Sequence, residues 1–434
     1  MTRSIALVCS VLSATPAVAQ DLFLTNARIV DPAVQEIRSG NLLIEEGIIV
    51  GGPDRAPDGF GGQTIDLAGQ WVIPGLNDLH THAYGNMAPG NTFDSPGTAV
   101  VARRMLYAGV TGFLDLFGRE DVLYELRAQQ RAGEADGADV FASLSCLTAT
   151  EGHCTEYGIE TRTMDSAEEA RAVVADLAAK KPDVVKIIYS PSGRMPSIDK
   201  ATLAAAVATA SENGIRTVIH VDTWDDVRDA VEAGASAVTH VPHPEPIPED
   251  LAALMVEKGV YSIPTLAAFV DLLAFIFDEA VLANELATEL TTSEIIAAYA
   301  SDEMRNSDPA WRERTRGRRA AILANVKAMS DAGVTILTGT DSGNWNTVQG
   351  YSEHRELLLL VEAGLSEWDA LAAATTGAGE FLGQSFGVSP GDVANLVVLE
   401  ASPVEDITNS QRIAMVIHHG RVVDRESLLA DAPD

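Results

Sequence analysis

The sequence predicts an α/β protein, a (β/α)8 TIM barrel with a small composite β-sandwich built from both termini. Three observations carry that expectation. Between residues 76 and 388, eight short apolar runs alternate with Ala- and Glu-rich stretches of helical spacing. Strands alternating with helices imply a parallel sheet, and eight such units in one unit of this length fit a barrel with insertions. Outside that region, residues 20–75 and 389–434 hold short strand-like runs split by Gly, Asp and Pro. Finally, the first run is not followed by the Gly-rich phosphate turn that a doubly wound open sheet would show.

Taken in order, the chain of 434 residues opens with "MTRSIALVCSVLSATPAVAQ". One basic residue, an apolar stretch and Ala17-Val18-Ala19 read as a cleaved signal peptide over residues 1–19, which predicts a periplasmic or secreted protein. Next come "LFLTNARIV", "NLLIEEGIIVGG" and "QTIDLAGQWVIPG", the first part of the sandwich; "GDVANLVVLE" and "RIAMVIHHGRVV" form the second. The eight barrel runs are "LNDLHTH", "VTGFLDLF", "DVFASLSCL", "VVKIIY", "RTVIHV", "AVTHV", "VYSIPTL" and "VTILTGTD". A helical insertion over 267–330 follows the seventh run. Its Phe269, Leu272, Phe275, Phe277 and Tyr299 suit helix packing, a pocket wall or the interface of a homo-oligomer.

The formal net charge is −32, and about −33 without the leader. Such a surface repels nucleic acid and anionic membranes, and no other stretch approaches the ~20 apolar residues of a membrane span. A small-molecule substrate is the expected partner. Cys146 and Cys154 do not make a disulfide framework, although one bridge could form in an oxidising compartment.

Barrel chemistry sits at the C-terminal ends of the strands. There the runs place His80-Thr81-His82, Lys186, His220, His240 and Asp341. Residues i and i+2 of a strand share a face, so His80 and His82 can both enter the mouth. Four imidazoles and a carboxylate converging at one mouth suit zinc and related divalent ions. Lys186 is out of place among cations as an ammonium; carbamylation by CO2 would make it an anionic oxygen ligand.

These residues resemble the amidohydrolase superfamily. The likeness runs through "VIPGLNDLHTH", "VVKIIY", "RTVIHV", "AVTHV" and "LTGTDSG", and through the closing "HRELLLLVEAGLSEWDALAAATTGAGEFLG" and "GVSPGDVANLVVLE". It implies a (β/α)8 barrel with a terminal sandwich and two divalent metal ions, zinc being the first candidate. His80, His82 and Asp341 would hold the more buried ion, His220 and His240 the other, with carbamylated Lys186 bridging both. It further implies that hydroxide held between the metals attacks the scissile bond, with Asp341 as catalytic general acid/base.

Within the superfamily, "LTATEGHCTEYG" and "VVKIIYSPSG" resemble the imidazolonepropionase-like and prolidase-like branch. Relatives carry Gly-His-Gly after the third strand; here it is Gly152-His153-Cys154, and the His-Ala-His-Gly expected after the fifth strand is replaced by "IHVDTWDD". His153 is the first substrate-binding candidate, followed by Tyr157, Tyr189 and His243. Asp222, Asp225 and Asp226 could select a cationic group or form a solvated turn. His354, past the eighth run, fits a place near the mouth or a structural helix start, and His418 and His419 fit structural roles. The expected activity is hydrolysis of an amide, in a dipeptide, an Xaa-Pro dipeptide or an N-acyl amino acid. The same metals could open a lactone, carbamate, cyclic amide or amidine, or organophosphate ester. A non-catalytic metal-binding module is the remaining alternative.

Overall fold

The computed structural model describes residues 21–430. The leader at residues 1–19 therefore lies outside the described residues. Both ends of the described chain enter one mixed eight-stranded sheet. Trp71–Pro74 pairs antiparallel with Leu396–Leu399, and the hairpin partner Ile413–His418 extends the sheet. The uniformly apolar "LVVL" follows from burial on both faces. Leu396 and Val398 enter a core with Leu22, Leu24, Ile44 and Val72, while Val397 and Leu399 face the core of the main body.

The main body is a parallel α/β assembly. Leu76–Thr81, Val110–Asp115 and Asp139–Ala142 form one parallel set. Cys146–Thr148, Val184–Ile188, Arg216–His220, Ala237–Thr239 and Tyr261–Ile263 form another in that order. Local signals start the intervening helices. Ser166 and Asp199 accept from the backbone N–H three residues on, and Thr223 with Asp226 forms a capping box. From Leu79 in the first run through Val184 and Val218 to Leu337 in the eighth, each run contributes to one apolar cluster.

Two runs differ from expectation. The third breaks at Ser143–Ser145, where Leu144 adopts a left-handed φ of 65°, and its second half pairs Cys146 with Lys186. The eighth forms no continuous strand. It makes isolated bridges, Ser262 to Ile336 on one side and Thr81 to Ser342 on the other. The buried Asp78 carboxylate accepts the Thr340 N–H at 3.0 Å and its hydroxyl at 2.6 Å, taking a donor that a ladder would use. Gly339 is needed here: a Cβ would lie 2.4 Å from Ile263 Cγ2 and 2.9 Å from His80 Cβ.

The segment after the seventh run is helical, ending in the long helix Pro309–Asp331 with Pro at its first turn and Asp308 as cap. Among the described residues no helix is long and apolar enough to cross a membrane.

Candidate metal centre and cavity

His80 is the penultimate residue of the strand Leu76–Thr81, almost fully buried at 1% exposed, and His82 follows the strand's end by one residue. Alternation brings both imidazoles to one side, where the Asp341 carboxylate meets them. Asp341 Oδ1 lies 3.3 Å from His80 Nε2 and 2.8 Å from His82 Nε2. Asp341 holds a left-handed φ of 58°, and its N–H donates to the His80 carbonyl at 2.6 Å. Asp tolerates that conformation better than most residues.

The other two imidazoles meet across neighbouring strands, with His220 Nδ1 2.9 Å from His240 Nε2. Hydroxyls fix the proton on two rings. Thr239 Oγ1 donates to the Ile263 carbonyl, so it accepts from His80 Nδ1–H at 2.7 Å. Thr265 Oγ1 donates to the Pro264 carbonyl and accepts from His240 Nδ1–H at 2.8 Å. Both Nε2 atoms are thereby left unprotonated, the state a metal requires; His240 Nε2 meets His220 Nδ1 and His80 Nε2 meets Asp341. Burial drives His80 and His240 well below the usual histidine range and lowers His220, so these rings are neutral donors.

Lys186 lies among them, 3% exposed, and among the described residues its Nζ has no hydrogen-bond partner. Burial lowers it to about 8. An orphaned buried amine that loses its proton readily is suited to react with CO2, and it marks a gap in the polar network that a ligand would fill. The residues present thus fit a group of divalent cations: His80, His82 and Asp341 offer three ligand atoms within 4.8 Å of one another. His220 and His240 offer two more, the His240 ring lying 5.2 Å from that of His80.

The donors form the floor of a cavity of about 660 Å³. His153 and Tyr157 line it as expected, with the His153 ring 5.3 Å from His220 and its Nδ1 2.7 Å from Glu156. Behind His153 the Cys146 and Cys154 thiols lie 2.6 Å apart as free cysteines.

Two substrate candidates are corrected. Tyr189 points out of the cavity, and its hydroxyl donates to Asp229 at 2.6 Å. The cause is strand alternation: Lys186 and Ile188 line the cavity, so Tyr189 must face the helices. His243 is also absent from the cavity wall; its ring turns back to the Val241 carbonyl at 3.2 Å. Of the acidic turn, Asp226 completes the capping box of Thr223, whereas Asp222 reaches the cavity and accepts from the Ser190 hydroxyl. The His220 ring, 3.5 Å away, and the Ser190 hydroxyl hold its carboxyl down, to about 2.

The sequence reasoning missed Arg318. It comes from the long helix of the insertion, half-buried, and stands 5.0 Å over the Phe269 ring. Phe269 in turn lies 4.9 Å from the His240 ring. Among the described residues Arg318 has no carboxylate partner, and burial lowers it. In a chain with 62 acidic residues against 30 basic ones, a guanidinium left unpaired in a cavity is a signal. The "RGRR" that contains it stood in plain view but carried no register to the mouth. The insertion's other aromatics divide. Phe275 and Tyr299 pack together at 5.2 Å, and Phe277 lies exposed.

A parallel α/β body with this donor set defines a metal-dependent hydrolase. A profile of the amidohydrolase family matches residues 71–423, and the chain belongs to that family. It is accordingly a hydrolase acting on carbon–nitrogen bonds. An uncharacterized protein of Mycobacterium tuberculosis is 24% identical over 362 residues, covering 81% of this chain and 85% of its own length. A solved Xaa-Pro dipeptidase with bound methionine superposes with a TM-score of 0.74 at 20% identity, over 93% of this chain and 99% of its own. A putative prolidase from Bifidobacterium longum gives 0.73 at 24% identity, over 96% and 99%. At these identities the structural likeness speaks for the fold.

Proposed function

We propose that this protein is an exported two-metal amidohydrolase that cleaves an amide next to a free carboxylate, as in a dipeptide or an N-acyl amino acid. The observation that carries the substrate class is Arg318: a guanidinium with no carboxylate partner among the described residues, held over Phe269 on the same wall as His240. A planar fork of donors matches a carboxylate. His153, on the cavity wall beside His220, would contact the same substrate, and Asp222 offers the counter-charge for a free amino terminus.

His80, His82 and Asp341 would hold one ion, His220 and His240 the other, with a carbamate on Lys186 between them. Bound there, two divalent cations, zinc by its preference for imidazole and carboxylate, supply the hydrolytic nucleophile and polarise the scissile carbonyl. The chain's own groups then do the rest. Asp341 takes the proton lost by the attacking water and returns it to the leaving nitrogen. Thr239 and Thr265 hold His80 and His240 in the ligating tautomer. Arg318 and the aromatic wall orient the substrate. The eight runs would close a full barrel around this floor, a reading supported by the shared apolar cluster and by the eighth run's bridges to both flanking strands.

The test is turnover of a panel of dipeptides and N-acyl amino acids beside their C-terminal amides. Loss of a charge-assisted hydrogen bond worth roughly 1.5–3 kcal/mol predicts that Arg318→Met lowers kcat/KM about 10–100-fold for the acids. The amides should barely respond. Equal rates on acids and amides in the wild type would sink the substrate reading.

A further inference from the structure

At the opposite end of the parallel strands lies a second group of potential ligands, Asp139, His418 and His419. We propose that it is a separate metal site that ties the terminal sheet to the main body. Asp139 is the first residue of the strand Asp139–Ala142, and His418 the last of Ile413–His418. The cavity mouth is at the other ends of the strands, so this site is distinct from the one above.

Consecutive residues of a strand point to opposite faces. His418 and His419 do not, because His419 takes a left-handed φ of 48°. The turn is pinned there by packing and hydrogen bonds. His419 N–H donates to Asn395 Oδ1 at 2.7 Å, Gly420 N–H donates to the Ala394 carbonyl at 3.0 Å, and a Cβ on Gly420 would lie 2.6 Å from Gly47 Cα. As a result both rings turn to the same carboxylate, with centroids 4.2 Å apart. His419 Nε2 is 2.9 Å from Asp139 Oδ1, and His418 Nε2 is 3.5 Å from Oδ2.

Three ligand atoms, one from each residue, lie within 4.8 Å of one another. Tetrahedral zinc with bonds of about 2.0–2.1 Å would space its donors about 3.3 Å apart, so only a small contraction is needed. An independent observation points to a ligand. His418 is 7% exposed, and among the described residues its Nε2 makes no hydrogen bond. A buried ring nitrogen beside a carboxylate yet beyond hydrogen-bonding distance has the spacing of two donors sharing one ion set to the side of the pair. The group opens on a cleft of about 970 Å³ between the terminal sheet and the foot of the strands, from which water could complete the coordination. Two imidazoles and a carboxylate suit zinc and its neighbours. Such an ion would join residues 280 positions apart and couple metal binding to the docking of the sheet.

The experiment counts metal. Chelated full-length protein is dialysed against micromolar free zinc, and bound zinc per chain is measured by plasma mass spectrometry. Wild type should hold one equivalent more than Asp139→Asn and than the His418→Gln/His419→Gln double variant. Both variants should keep wild-type turnover. Zinc should also raise the wild-type Tm further than that of either variant. The difference in zinc content carries the test, whatever number of ions the cavity holds. Equal zinc content in wild type and Asp139→Asn overturns the proposal and leaves a plain Asp–His ion pair. Asp139→Asn preserves shape and hydrogen-bonding capacity, so it keeps the test decisive should the double variant fail to fold.

Discussion

The two ends of the parallel strands use the same side chains in opposite ways. At the mouth, threonine hydroxyls take the Nδ1 protons of His80 and His240, and burial keeps the rings neutral. At the foot, His419 faces a carboxylate directly. Burial alone would lower it, but the hydrogen bond to Asp139 outweighs burial and raises it. The Asp139 carboxyl, pushed up by burial, is held far below its usual range by His418 and His419. Without a metal the foot is an ion pair, whereas the mouth gathers hydroxyl-anchored His80 and His240, and His82 beside Asp341, around an amine with no partner among the described residues. The difference teaches that a histidine's role is set by what its second nitrogen meets. A hydroxyl or carbonyl makes a neutral ligand, and a carboxylate makes a cation unless a metal intervenes.

The comparison can be broken most forcefully at the mouth. Asp341→Asn keeps the shape of the carboxylate but cannot hold the transferred proton. Turnover should fall by roughly 10²–10⁴-fold, the usual worth of general acid/base catalysis, with most of the metal retained. Steady-state kinetics beside metal analysis would show it, and near-normal kcat would refute the role. A smaller loss should follow Thr239→Val or Thr265→Val, which frees the imidazole to flip its tautomer. Outer-layer partners of this kind are worth about 10–100-fold in metal affinity or activity. Zinc titration against a competing chelator reads it directly. If either variant binds zinc as tightly as wild type, the hydroxyls do not set the ligating tautomer.

Most of the site was legible because strand periodicity and strand ends are local properties. His80, His82, Lys186, His220, His240 and Asp341 all stand on one floor, as their places in the runs require. The terminal sheet was equally readable, since "LVVL" and "WVIP" carry the continuous apolar signature of strands buried on both faces. What stayed hidden depends on long-range geometry. Arg318 reaches the cavity through the packing of a helix some distance down the chain, and no periodicity reports that. The irregular eighth run depends on where Asp78 sends its carboxylate. The pairing of Asp139 with His418 and His419 joins the third strand to the last hairpin, and only a left-handed residue makes it.

Tyr189 marks the case in which the sequence held the answer and a stricter use of alternation would have found it. Lys186 and Ile188 face the cavity, so position 189 faces out, toward Asp229. The tyrosine hydroxyl then ties a strand to the helix Trp224–Ala233. Tyr189→Phe removes one hydrogen bond and leaves the half-exposed Asp229 paired with Lys200 at 2.5 Å. Net hydrogen bonds contribute about 0.5–1.5 kcal/mol, so stability should fall by about that much in denaturant titration. Both kcat and KM should stay at wild-type values. A KM that rises severalfold on unchanged stability would return Tyr189 to the substrate and would mean that the strand's register at the mouth is shifted by one residue.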